Sequence, residues 1–191
     1  MGDEPPADHA SLLPRLAAER VVLRAFRPAD AAALAAYRSD PAVARYQAWD
    51  TPLSEEQAAE SIAGRARADP DQPGWTPYAV ALDGVLIGDV GVNLHDNRMQ
   101  ADIGFTLASA FHGRGYATEA VGRVLDHLFL DRGLHRVSAE CDPRNDASVR
   151  LLDRLGFRRE GLRRANTWLR GEWADDLLFG LLAADYRAAR G

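Results

Sequence analysis

The spacing of hydrophobic and polar positions changes along this chain, and each change marks an element. Arg20-Val21-Val22-Leu23-Arg24 reads as a short first strand. Pro28 and Asp30 open an alanine-rich helix that runs to Ser39, with Asp30 placed as its cap. Pro41 interrupts it, and a short helical piece precedes Trp49. Ser54, Glu55 and Glu56 start another helix, expected to reach Ala68, with a capping hydroxyl and acidic residues in the first turn. Residues 69 to 74 have the composition of a loop. Tyr78 to Leu82 and Val85 to Asn93 read as strands joined at Asp83-Gly84, a hairpin dipeptide. A turn at residues 95 to 98 leads into a strand over Gln100 to Leu107.

The period then lengthens to about 3.6. Ala117, Val121, Val124, Leu125, Leu128 and Phe129 share one side of a helix predicted over 117 to 131, and Gly133 ends it. Arg136 to Asp142 alternates as a strand, with Val137, Ala139 and Cys141 on one face. A helix over Asn145 to Leu155 closes at Gly156. Two strands follow, over 158 to 169 and 172 to 182, turning at Arg170-Gly171. Antiparallel strands in the middle, followed by two strand-helix-strand crossovers, predict an α/β (α+β) mixed sheet rather than a doubly wound one. Residues 1 to 18, with Pro5, Pro6 and Pro14, are expected to be a flexible N-terminal arm, and 19 to 191 a single domain.

Composition narrows the class. With 47% hydrophobic and 27% charged residues among 191, disorder is excluded as the main state. The single cysteine, Cys141, permits no intrachain disulfide and no cysteine cage for zinc, so no metal is expected. No apolar stretch approaches the ~18 residues of a membrane helix. The start of the chain is polar and acidic, unlike a signal peptide, so a cytoplasmic protein without a membrane partner is expected. A net charge of −5 argues against nucleic acid as a partner. All 23 basic residues are arginines, which fits GC-rich codon usage alongside the abundant alanine.

Chemistry concentrates in Phe111-His112-Gly113-Arg114-Gly115-Tyr116-Ala117-Thr118. Two glycines between a strand and a helix let successive N–H groups face one concavity at the positive end of the helix. A pyrophosphate fits such a place, and Arg114 adds a fork of donors. The lysine and hydroxyl of a P-loop are missing, and Thr118 stands where a dinucleotide fingerprint has its third glycine. A plain strand-to-helix turn is the other reading of these two glycines.

A second segment adds to the first. Pro143-Arg144-Asn145-Asp146-Ala147-Ser148 opens a helix that ends in Leu155-Gly156-Phe157, and Gly171-Glu172-Trp173-Ala174-Asp175 sits at the last hairpin. With His112-Gly113-Arg114-Gly115-Tyr116-Ala117, these segments resemble the GNAT superfamily of acetyl-CoA-dependent N-acetyltransferases, specifically the RimJ/RimL type. His112 departs from the Arg or Gln usual at the head of that loop. The resemblance covers about residues 18 to 186. It implies a central, mostly antiparallel sheet with a splayed parallel strand pair, flanked by helices.

The same resemblance implies acetyl-CoA as co-substrate. Its pyrophosphate would lie on His112, Gly113, Arg114, Gly115, Tyr116, Ala117 and Thr118. Its pantetheine arm would run along Phe105, Thr106 and Leu107 and touch Asn145, which also suits a helix cap. Ser148 is the expected donor to the departing sulfur, because Leu152 stands where many relatives carry a tyrosine. Asp102 is the candidate base, with a solvated strand aspartate as the alternative; His95 is second. Tyr46, Trp49 and Trp75 are expected at the acceptor pocket. The acceptor is expected to be a protein or peptide N-terminal α-amine. Alternatives are a small amine, such as an aminoglycoside or polyamine, and a coenzyme A-sensing domain without catalysis. A homodimer is an expected assembly, since relatives often pair.

Overall fold

The computed structural model describes residues 12–65 and 68–190. Eight strands form one sheet among these residues: β1 (Leu16–Ala17), β2 (Val21–Arg24), β3 (Gly74–Leu82), β4 (Val85–Leu94), β5 (Gln100–Leu107), β6 (Arg136–Cys141), β7 (Arg158–Leu169) and β8 (Glu172–Leu182). Their order is β1-β2-β3-β4-β5-β6-β8-β7, with every neighbouring pair antiparallel except β5 and β6. The helices are α1 (Ala31–Ser39), α2 (Pro41–Ala44), α3 (Glu55–Arg65), α4 (Tyr116–Asp126), α5 (Asp146–Arg154) and α6 (Ala183–Ala188). The mixed α/β architecture read from the chain is the one observed.

Two tight hairpins set much of the register. Asp83 and Gly84 both take positive φ, 49° and 84°, and Leu82 faces Val85 across the turn. Arg170 and Gly171 do the same at 48° and 90°, with Leu169 facing Glu172. Two positive φ angles in a two-residue loop match the right-handed twist of the flanking strands.

The sheet separates two apolar layers. Tyr78, Val80, Val90, Val92, Ala101, Ile103, Val137, Ala139, Phe179 and Leu181 pack on one face with Val121, Val124 and Leu125 of α4 and Leu151 and Leu152 of α5. Ala79 and Leu86 turn to the other face, against Leu34 and Tyr37 of α1 and Ala58 and Ile62 of α3. That second layer stops short of β6, β7 and β8, whose outer face is not part of it.

Several boundaries differ from the pattern reading. β3 begins at Gly74 rather than Tyr78. β2 pairs with β3 only from Ala79 on, so residues 74 to 78 form an edge where Pro77, lacking an N–H, is tolerated. The helix expected over 117 to 131 becomes a π-helical turn from His127 to Asp131, where Arg132 N donates to His127 O at 3.0 Å. The α3 helix is described as far as Arg65 and Ala68 is not helical; residues 66 and 67 lie outside the described residues. Within the expected arm, Leu16–Ala17 pairs with Val22–Leu23 and Leu16 is buried; residues 1 to 11 lie outside the described residues. No helix of the described residues is long and apolar enough to cross a membrane.

Candidate active site

The parallel pair is only half closed. Gln100 to Ile103 face Arg136 to Ala139, and there the pairing of β5 with β6 stops, although β5 continues to Leu107 and β6 to Cys141. β4 and β8 hold the outer edges of both strands beyond that point. The inner edge of β5 over Gly104 to Leu107 therefore borders a gap. It opens at the carboxyl ends of both strands, the end of an α/β sheet where ligands bind. α4 follows β5 and α5 follows β6, so the positive ends of both helices belong to this end of the sheet.

The two helix starts are built differently. Asn145 caps α5, its side-chain oxygen accepting from Ser148 N at 3.2 Å. α4 has no side-chain cap. Gly115 stands at its N-cap with φ 84°, Gly113 precedes at φ 73°, and Glu119 N donates to Gly115 O at 3.0 Å. Residues 112 to 115 are exposed. An uncapped helix start leaves amide donors for a ligand, and two glycines without Cβ let an anion approach the backbone. This fits a pyrophosphate.

Electrostatics at this loop come partly from an unexpected residue. Arg20, at the head of β2, donates from Nη1 to Arg114 O at 3.1 Å and stacks over the Tyr116 ring at 4.6 Å. Its Nη2 lies 3.3 Å from where a Cβ on Gly115 would stand. Glu119 anchors it, accepting from Arg20 N (2.5 Å), Arg20 Nε (2.8 Å) and Val21 N (3.0 Å). Burial alone would raise the Glu119 pKa, but these donors outweigh it and hold the carboxyl below its ordinary value. His112 turns back into the fold: its Nε2 donates to Leu107 O at 2.7 Å, tying the loop to the end of β5. Nε2 is thereby spent on the backbone, which leaves His112 its main chain and Nδ1 to offer a phosphate.

On the sheet face opposite α4, two adjoining cavities reach β5. One, of about 310 Å³, is lined by Arg38, Trp49, Trp75, Asp89 and the strand residues Gly104 to Thr106, among others. Gly91 and Gly104 face each other across β4 and β5, and the Trp75 ring packs where a Cβ on Gly91 would reach, at 3.2 Å. The second, of about 460 Å³, holds Asp102, Ser138, Glu140 and Glu160. Glu140 is paired with Arg163 at 3.1 Å, and Glu160 with Arg136 at 2.8 Å.

Known proteins share this fold. Residues 20–158 match the family described as "Acetyltransferase (GNAT) domain". The chain belongs to the GNAT acetyltransferase family. The N-acetyltransferase p20 of Bacillus licheniformis, uncharacterised, is 32% identical over 171 residues, 88% of this chain and 96% of that one. RimJ of Mycobacterium smegmatis, solved in complex with CoA-disulfide, superposes with a TM-score of 0.77 at 28% identity, covering 93% of this chain and 95% of that one. The uS5-alanine N-acetyltransferase of Escherichia coli is 30% identical over 88 residues, 46% of this chain and 45% of that one.

Within this N-acetyltransferase the expected site residues fall into groups. Phe105, Thr106 and Leu107 lie on the stretch of β5 that borders the gap. Gly113, Arg114 and Gly115 form the exposed loop, while Tyr116, Ala117 and Thr118 make the first turn of α4. Ser148 lies half-buried in the first turn of α5, and Leu152 is fully buried, so no side chain there competes with the serine as a donor. Asp102 Oδ2 accepts from His95 Nε2 at 2.9 Å and Asn93 Nδ2 at 3.1 Å. The two candidate bases are thus one hydrogen-bonded unit. Trp49 and Trp75 line the smaller cavity, but Tyr46 does not; Arg45 covers its ring at 5.2 Å, and the neighbouring Gln47 takes the lining position. Arg20, Arg38 and Asp89 escaped sequence reasoning. Their partners lie 51 to 99 residues away, beyond the reach of local pattern.

Trp168 and Trp173 pair across the last hairpin, 5.3 Å apart, and remain exposed. The β7 arginines are exposed, and Arg158, Arg159 and Arg163 are ion-paired, to Asp185, Asp153 and Glu140.

Proposed function

We propose that this enzyme moves acetyl from acetyl-CoA to the N-terminal α-amine of a peptide or protein by direct attack on the thioester. The half-closed β5–β6 pair carries the reading, because it offers free backbone edge beside an anion-binding helix start. Acetyl-CoA supplies the activated acetyl group. The 112–118 loop holds its pyrophosphate with main-chain donors, aided by Arg114. The β5 edge from Phe105 to Leu107 receives the pantetheine arm and offers an N–H to the thioester oxygen as charge develops there. Asn145 adds a contact to the arm.

The attacking nitrogen must be neutral. An α-amine has a reference pKa near 8 and a lysine near 10.4, so presenting a neutral lysine at pH 7 costs about 3 kcal/mol more. An α-amine therefore needs only a modest base. Asp102, held by His95 and Asn93 at the closed end of the strand pair, receives the amine's proton through intervening water as the C–N bond forms. The C–S bond breaks, and Ser148 donates a hydrogen bond to the thiolate, whose parent thiol has a pKa near 8.5. The naming of the Escherichia coli relative for an alanine of ribosomal protein uS5 supports the acceptor class.

Acetyl-CoA turnover, followed by thiol release, tests the proposal against unblocked peptides, a lysine peptide with its α-amine blocked, polyamines and aminoglycosides. Release with the unblocked peptides alone is expected. Release only with a polyamine or aminoglycoside would move the acceptor to small amines. Binding of acetyl-CoA without discharge by any amine would favour a sensor.

A further inference from the structure

We propose that Arg38 and Asp89 form a two-pronged reader of the acceptor: Arg38 donates to the carbonyl oxygen next to the reacting amine, and Asp89 accepts an N–H from that amine. This rests on the acceptor being an α-amine, and it names what in the chain recognises one.

Asp89 lies on β4 opposite Thr106, alongside the stretch of β5 that borders the gap. Its side chain is only 8% exposed. Tyr37 Oη and Arg38 Nη2 both donate to the same oxygen, Oδ2, the latter at 3.3 Å. Oδ1 makes no hydrogen bond among the described residues, and it is not sealed from solvent. Arg38 shows the same asymmetry. Nη2 is engaged by Asp89, Nε is buried without a partner, and Nη1 makes no hydrogen bond among the described residues yet stays accessible. Both residues line the 310 Å³ cavity. A nearly buried carboxylate with one spare acceptor thus stands beside a guanidinium with one spare donor. A ligand that displaces water from these two atoms without replacing its hydrogen bonds is penalised, so one that satisfies both is favoured over one that satisfies neither.

The pair is also held in place. Arg38 stacks on Trp49 with 4.6 Å from Cζ to the ring, and Trp49 Nε1 donates back to Arg38 O at 3.0 Å. Held side chains lose little freedom on binding. Charge points the same way. The ionisable groups lining this cavity are Arg38, Arg65 and Asp89, two cations against one anion, a poor setting for a polyamine. In the neighbouring cavity the two glutamates are already tied to Arg136 and Arg163. An amine bearing a carbonyl on the adjacent carbon matches one donor and one acceptor side by side. A plain alkylamine matches only the acceptor.

The test uses the full chain, acetyl-CoA and two acceptors that differ in one group, phenylalaninamide and phenethylamine, with spermidine as a third. Wild type, Arg38→Met and Arg38→Lys are compared. The differing basicity of the two amines cancels when each variant's selectivity is divided by that of wild type. Arg38→Met should lower the preference for phenylalaninamide over phenethylamine about 10-fold or more, mainly through KM. Arg38→Lys should recover part of the preference. Acetyl-CoA affinity by calorimetry should stay unchanged, which shows that each variant is folded. If Arg38→Met fails to fold, the lysine variant carries the comparison, and a preference equal to wild type there would overturn the inference. Unchanged selectivity in a folded Arg38→Met would overturn the reader alone and leave the α-amine reading intact. Turnover of spermidine but not phenylalaninamide by wild type would overturn both.

Discussion

Glu119 fastens the head of β2 to the first turn of α4, so Glu119→Gln should loosen the fold and the anion loop together. The carboxylate accepts three N–H donors, two from the backbone at Arg20 and Val21 and one from Arg20 Nε. Its side chain is 13% exposed, so water replaces these bonds poorly. Glutamine offers one carbonyl oxygen and turns an NH2 toward the remaining donor. At least one charge-assisted bond is lost, and the others weaken to neutral ones. Such bonds contribute about 1.5–3 kcal/mol each, so a net loss of roughly 2 kcal/mol is expected. For a chain of this size that lowers the melting temperature by about 4–8 °C. Urea unfolding of both proteins from pH 7 to pH 3 gives the sharper readout. The Glu119 pKa is depressed in the folded protein, so its stabilisation is complete above its ordinary value of 4.5 and is lost as pH falls through the lower folded value. The gap between wild type and variant should be full at pH 7 and close below pH 4.5. A gap that stays constant across this range, or one under about 0.5 kcal/mol at pH 7, would refute the assigned role of the carboxylate.

Three further outcomes follow from the same geometry. Gly115→Val should abolish acetyl-CoA binding in calorimetry, because φ is 84° there and the new side chain meets Arg20 Nη2 and covers the approach to the loop; unchanged affinity would remove the loop from the coenzyme site. Ser148→Ala should lower kcat about 10-fold while leaving acetyl-CoA affinity within about 2-fold, and equal kcat would end the serine's role as donor to sulfur. Gly88→Ala should cost about 3 kcal/mol in urea unfolding, since its Cβ would stand 2.2 Å from Thr106 O and 2.9 Å from Leu107 Cα, backbone that cannot swing aside; a cost below about 1 kcal/mol would mean β4 and β5 separate there easily.

Legibility in the chain followed the range of the interactions. Asp83-Gly84 and Arg170-Gly171 announced their hairpins because a two-residue turn needs positive φ at both positions, a local demand. The α4 face was legible because Val121, Val124 and Leu125 repeat at helical spacing against one layer. Pro77 hid the start of β3, since a proline reads as a breaker until its edge position is known. The π-helical turn at 127 to 131 left no mark in the apolar pattern, which continues through Leu128 and Phe129. Of the candidate site, the glycine loop and the Asn145 cap could be read from short motifs. The union of His95 with Asp102 depends on a turn bringing β4 and β5 into register. The Arg38–Asp89 and Arg20–Glu119 pairs join distant segments, and no single window of sequence contains both partners.

The apolar layer under α1 and α3 ends before β6, and this divides the molecule's evolutionary freedom. Arg38, Trp49, Trp75 and Asp89 all come from the first 90 residues, carried by α1, the segment after α2, β3 and β4. The glycine loop, α4 and α5 all come after Leu107. Drift at these four positions can reshape the smaller cavity while Arg20, which holds the later loop, stays in place, and the short run Gly104 to Thr106 lines that cavity and borders the gap as well. A lineage can exchange one molecular customer for another by rewriting a few positions before residue 90, while its grip on a shared currency is inherited unchanged.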